Sequence, residues 1–255
     1  MKKYIALALL VVIFDSCKKE SNNNAVPTVS VTDAVPVTDT DGNTYSTVQI
    51  GSQVWITSNL NVSHFRNGDE IPEIEDSAAW VQAASANEVK PAWCYYNSDP
   101  ANGKIYGKLY NWYAVIDSRG LAPAGWHIPS DTEWSNLITY LGGESVAGVK
   151  MKSTNGWYGN GNGTNKSGFA GLPGGARYGY DGSLPLLGGA GAFYSIGQIG
   201  CWWSSSQDGD GPYGAPYGDD DTFGAFIYDL DYADSSSFYG NSYENCGFSV
   251  RCLRD

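Results

Sequence analysis

The stretch GWHIPSDTEW, Gly125 to Trp134, constrains this chain more tightly than any other. Trp126 and Ile128 alternate around His127, which is the spacing of a short strand. Pro129 ends it, because proline has no N–H to give to a ladder. Ser130 and Glu133 then have the spacing of a capping box, in which serine accepts from a backbone N–H and glutamate reaches back. Trp134, Leu137, Ile138 and Leu141 follow at i, i+3, i+4 and i+7, and Gly142-Gly143 stops the helix. A strand must therefore feed an amphipathic helix through a joint of very few residues. The polar atoms of the stretch have structural roles in this reading. His127, one of two histidines, is expected to be a hydrogen-bonded structural residue and not a catalytic one.

The rest of the chain reads as short elements between turns. Val48, Ile50, Val54 and Ile56 alternate on either side of Gly51 and predict a hairpin over Thr44–Leu60. DTDGNTY, from Asp39, has the look of a calcium loop but lacks the distal glutamate and flanking helices, so it reads as a turn. Asp76 or Ser77 is expected to cap a short helix through Trp80. Ala92 to Asn97 reads as a strand. Leu109, Trp112, Tyr113 and Ile116 stand at helical spacing within Gly107–Asp117. Gly156 to Gly200 is glycine-rich and irregular. Cys201–Ser206, Phe223–Asp231 and Gly247–Asp255 read as strands, the last with Phe248, Val250 and Cys252 on one face. Helices first, then loops and antiparallel strands, give an α+β class.

Residues 1–16 read as a signal peptide: Lys2 and Lys3, then an apolar run to Phe14. Ser16 before Cys17 resembles the lipobox of bacterial lipoproteins, which makes Cys17 the expected lipidation site. Residues 17–38 then serve as a flexible tether and 39–255 as one domain. The expected location is the outer membrane, with the chain exported, held to the membrane by its lipid and exposed at the cell surface. Cys94, Cys201, Cys246 and Cys252 are an even set in an exported chain and suggest two disulfides, with three pairings open. The net charge of −12 argues against a nucleic-acid partner. Asp208, Asp210, Asp219, Asp220 and Asp221 lie in a stretch without Lys or Arg. They are the candidate ligands for calcium, a cation that takes several carboxylate oxygens; the other reading is a solvated, self-repelling loop.

DGNTYSTVQIGSQVWITSNL, YGKLYNWYAV, LAPAGWHIPSDTEW, SGFAGLPGGAR, WWSSS and FSVRCLRD occur in the order seen in the Fibrobacter succinogenes major paralogous domain, which the chain resembles over Asp39–Asp255. More distantly it resembles the C-type lectin-like fold and its formylglycine-generating branch. The resemblance implies helices at Gly107–Ser118 and Ser130–Leu141. It also implies pairing of the first and last strands, and a long-loop region over Gly156–Tyr217 that carries ligand and calcium sites. It implies the disulfides Cys201–Cys246 and Cys94–Cys252. The chain lacks E-P-N, Q-P-D, W-N-D and G-N-V-x-E-W, so neither the lectin nor the enzyme activity carries over residue by residue.

No G-x-S-x-G, H-E-x-x-H or C-x-x-C is present, which leaves no recognisable catalytic constellation, and the chain is expected not to be an enzyme. Nine tryptophans and eighteen tyrosines suit a binding or adhesion module for a glycan or a cell-envelope partner. The other reading is an assembly subunit of a surface appendage with no small ligand. An enzyme of the formylglycine-generating-like branch ranks third. Trp55, Trp112, Trp126, Trp134, Trp202 and Trp203 are expected in the core. Trp157, Tyr178, Tyr180, Tyr213 and Tyr217 are the expected ligand contacts.

Overall fold

The computed structural model describes residues 33–85, 88–179, 189–208 and 224–255. Cys17, Tyr180, Tyr213, Tyr217, Asp210, Asp219, Asp220 and Asp221 lie outside them, as does the expected signal and most of the tether.

The chain begins with β1 (Asp33–Thr38), β2 (Thr44–Ile50) and β3 (Gln53–Ile56), paired antiparallel in sequence order. The DTDGNTY turn between β1 and β2 closes on Asp39. Its carboxylate accepts from the N–H groups of Asp41 and Asn43, from the Asn43 amide and from the Tyr45 hydroxyl. Side-chain bonding of this kind is why Asp marks turns. Asp76 caps α1 (Ser77–Gln82) by accepting from Ala79 N–H at 2.8 Å, as expected. After β4 (Ala84–Ser85), β5 (Glu88–Val89) and β6 (Trp93–Cys94), a single 3₁₀ turn leads to α2 (Pro100–Tyr106).

The helix expected over Gly107–Ser118 is shorter and later than its apolar spacing suggested. Leu109 and Tyr110 form β7 (Leu109–Tyr110), paired with β6, and only α3 (Trp112–Val115) is helical. Asn111 sets that boundary: its side chain accepts from Ala92 N–H in the neighbouring segment and from Ala114 N–H as the cap. The helix upstream, α2, starts from Asp99 as cap with Pro100 in its first turn, a placement that suits proline.

The opening stretch folds as read. β8 (Trp126–His127) precedes Pro129, and α4 (Asp131–Tyr140) follows. Ser130 N–H donates to Glu133 Oε2 at 2.8 Å and Glu133 N–H reaches Ser130 Oγ at 3.4 Å, so both halves of the capping box form. Gly142, at φ +104°, ends the helix in backbone space that favours glycine. A second helix, α5 (Glu144–Met151), then packs against the final hairpin. Its Gly148 lies so close to the Ser236 carbonyl that a Cβ would overlap it.

β9 (Ala176–Arg177) pairs with β10 (Phe193–Tyr194). A second sheet has the order β11 (Ile199–Asp208), β12 (Gly224–Asp231), β13 (Ser237–Tyr243), all antiparallel. The last strand, β14 (Leu253–Arg254), does not sit at an edge. It lies between β3 and β8 in the sheet β1-β2-β3-β14-β8, pairing Leu253 with Trp55 and with His127. The segment before it threads the whole molecule: Gly247 bridges Arg177, Phe248 bridges Tyr110 and Ser249 bridges Trp202.

The six tryptophans expected in the core are all buried. Trp55, Trp134, Phe169 and Trp202 form one aromatic cluster, with Trp55 and Trp134 centroids 4.9 Å apart. Phe248, Val250 and Cys252 share another cluster, consistent with one face. The four cysteines are buried free thiols, so the expected pairs Cys201–Cys246 and Cys94–Cys252 are not formed. Cys94 belongs to a different core cluster from Cys252. Burial pushes the Cys94 thiol up to about 12 and raises Cys201, Cys246 and Cys252 as well, which keeps the nucleophilic thiolate unpopulated.

Irregular backbone is held in a distinctive way. A glycine-rich loop has many carbonyls and few ladders, and buried carbonyls need donors. Here cations supply them. Arg251 donates to Asn59 Oδ1 and to the carbonyls of Ile56, Phe169 and Ala170. Arg177 donates to Ile74, Glu75 and Gly191, between the rings of Trp80 and Phe193. Arg66 takes Ala122, Pro123 and Trp126. Lys152 takes Asp231 and Asp234. Lys108 takes Asn61 and the Ser63 hydroxyl, over the Trp93 ring at 4.0 Å; burial pulls its ammonium down to about 8.

Candidate functional site

A cleft of about 670 Å³ opens where α4 and the start of α5 face β12 and β13. Its size is that of a small-ligand site. The helical periodicity that buries Trp134 and Leu137 on one side of α4 leaves Asp131, Ser135, Ile138 and Thr139 along the cleft. Glu144 and Ser145 enter from the first turn of α5, and Tyr228 and Tyr239 from the sheet.

The two tyrosines differ in what holds them. Tyr228 is fixed. Its ring stacks on Trp134 at 5.0 Å and 14°, and its hydroxyl donates to Asp131 Oδ1 at 2.7 Å, with Ser135 Oγ at 3.2 Å. Burial, opposed by the bond with Ser135 and aided by the Asp131 carboxylate, leaves the phenol well above its ordinary range and therefore neutral. Tyr239 is 60% exposed, with its ring 6.4 Å from Tyr228 at 32°. Together they give a rigid inner ring and an open outer one, bordered by hydroxyls and two carboxylates. Such a surface can stack a flat apolar face and accept hydrogen bonds around its edge.

The residues expected to touch ligand are distributed otherwise. Trp157 is 4% exposed: its ring N–H donates to Ser153 Oγ and the Gly171 carbonyl, and Lys152 lies 5.3 Å from its face. It is a core residue, and the irregular loop around it concealed this. Tyr178 is half-buried and stacks on Tyr194 at 4.1 Å. Asp208 takes the Asn241 amide. Among the described residues no group of three or more His, Cys, Asp or Glu could hold a metal ion. Tyr228 and Tyr239 were not singled out from sequence; the only available signal was alternation along FGAFIYDLD and the aromatic pair in SSSFYGN.

His127 is half-exposed and bonded at both nitrogens, Nδ1 to Asp255 Oδ1 at 2.7 Å and Nε2 to Glu133 Oε1 at 2.9 Å. Two carboxylate acceptors favour a ring that donates from both nitrogens, the imidazolium. Burial works against the charge, but the two carboxylates outweigh it and raise the ring above its ordinary value. That is a structural latch: neither nitrogen is free to act as a base. The second histidine, His64, places Nδ1 2.6 Å from Asp41 Oδ1.

These features define an α+β domain with a polar, aromatic-floored cleft. The chain belongs to the Fibrobacter succinogenes major domain family, whose model matches residues 48–254. Neither a curated protein nor a solved structure matches it.

Proposed function

We propose that this chain is a non-catalytic binding module of the bacterial cell surface, exported and lipid-anchored at Cys17, with a C-type lectin-like arrangement and a saccharide ligand. The observation that carries the reading is the Tyr228–Tyr239 cleft. Tyr239, 60% exposed, offers its ring to the C–H face of a pyranose, and the buried Tyr228 stands behind it as a fixed support. Ser135, Thr139, Ser145, Asp131 and Glu144 offer partners to its hydroxyls. The last strand pairs with β3 and β8 and not, as the resemblance implied, with the first strand; β14 still lies beside the N-terminal hairpin, which supports the lectin-like arrangement. The test is a glycan array probed with the wild-type domain and with Tyr239→Ala. Tyr239 is open to solvent, so its loss leaves the core intact. The expected result is a defined set of bound glycans, lost or weakened at least tenfold in the variant. An array with no bound glycan, or binding indifferent to Tyr239→Ala, overturns the proposal.

A further inference from the structure

We infer that the cleft selects saccharides by charge, taking amine-bearing sugars in preference to neutral ones and rejecting those that carry a carboxylate, with Glu144 as the residue that sets the preference. The inference rests on the saccharide reading above and deepens it.

The charge inventory around the cleft is one-sided. Among the described residues its lining holds two carboxylates, Asp131 and Glu144, and no Lys, Arg or His. The one cation that approaches from α5 is Lys150, and its Nζ donates to the Leu141 carbonyl at the end of α4. It is thereby turned toward backbone and not offered to a ligand. The two carboxylates have different duties. One oxygen of Asp131 already accepts from Tyr228 and so orients the inner ring. Glu144 is exposed, at the mouth of the cleft and in the first turn of α5. It is thus placed to meet a substituent of a sugar whose ring lies on Tyr239.

A sugar ammonium there gains a charge-assisted hydrogen bond. A neutral sugar gains ordinary ones. A uronate or other acidic sugar meets two negative charges with hydroxyl donors but no lining cation to offset them, on a chain of net charge −12. Because Glu144 is exposed, the preference is modest, about fivefold, as for a solvent-screened ion pair.

The experiment is calorimetric titration of the domain at pH 6 with three trisaccharides: glucosamine, its fully N-acetylated counterpart and galacturonate. A sugar amine is protonated there, much as an α-amino group is. The expected order of affinity is glucosamine, then N-acetylglucosamine, then galacturonate, with the amine advantage shrinking as salt is raised. Glu144→Gln, an exposed isosteric change that keeps one carbonyl acceptor, should bring the first two within about twofold by weakening the amine-bearing trimer more than the neutral one. Galacturonate binding as tightly as glucosamine, or a preference that survives Glu144→Gln, overturns the inference and leaves the saccharide reading standing. Failure of all three trimers together with an empty glycan array overturns both.

Discussion

Two cations anchor the segment that follows Val250. Arg251 lies wholly buried, among neutral acceptors: three backbone carbonyls and the Asn59 side chain, with Phe169 4.4 Å from its guanidinium. His127 lies at the surface and holds the end of the same segment through Asp255, while Glu133 ties the ring to the cap of α4. The first anchor is dry. Burial pulls Arg251 down to about 9, and it stays charged at neutral pH. The second is wet, ionic and titratable. The contrast shows that a buried cation need not have an anion: a forked guanidinium satisfies several carbonyls that no strand or helix reaches, and its removal strands all of them.

Replacing Arg251 is the harshest way to break the comparison. Arg251→Met keeps the length and apolar stem but leaves the Ile56, Phe169 and Ala170 carbonyls and Asn59 Oδ1 without this donor. The expected loss is about 3–5 kcal/mol in urea unfolding, enough to unfold many domains of ordinary stability. Arg251→Lys should recover only part of it, because an ammonium lacks the fork. Lys152→Met tests whether the same physics holds with fewer acceptors. It strips the donor from the Asp231 and Asp234 carbonyls, and about 1–3 kcal/mol should go. Hydrogen exchange should quicken first around residues 231–236.

Ser130→Ala probes the surface side of the comparison. It removes one half of the capping box, and the expected cost is about 1 kcal/mol. His127→Gln is the smallest change. The ring is 38% exposed, so a few tenths of a kcal/mol is the expected scale after solvent screening. Its signature is the pH dependence. The His127 value is raised on folding, so its contribution is complete below the ordinary 6.5 and fades as pH rises through the raised value. Glu133 is lowered by its bonds to Ser130 and His127, against the opposing effect of burial. Its contribution is therefore present above the ordinary 4.5 and fades as pH falls through the lowered value. The stability gap between wild type and His127→Gln should be widest between about pH 4.5 and 6.5 and narrow as pH rises through the raised His127 value. A gap that is flat over that range would show the latch to be packing alone.

The legible parts of the sequence were those whose partners are near in the chain. The Ser130–Glu133 cap, the Asp76 cap, the Asp39 turn and the β2–β3 hairpin involve partners within about ten residues. Core tryptophans in regular elements were legible from the periodicity of their own strand or helix, although their partners lie far off in the chain. Trp157 was not, because its burial depends on Ser153, Gly171 and Lys152 packing around an irregular loop. Helix α5 went unread because its cap, Gly143, brings no side-chain bond to announce it. The cation clamps left no motif at all, since backbone carbonyls are the same at every position. The cleft belongs to this class too: Tyr228 and Asp131 touch across 97 residues.

The central place of β14 sets an order of events for a chain made from one end to the other. Until residues 251–254 have emerged, β3 lacks a neighbour on one side, β8 has no strand partner, and the acceptors awaiting Arg251 stay open. Everything translated earlier can collapse, but it cannot close. The sheet behaves as a purse whose drawstring, β14, is the last of its strands to be threaded.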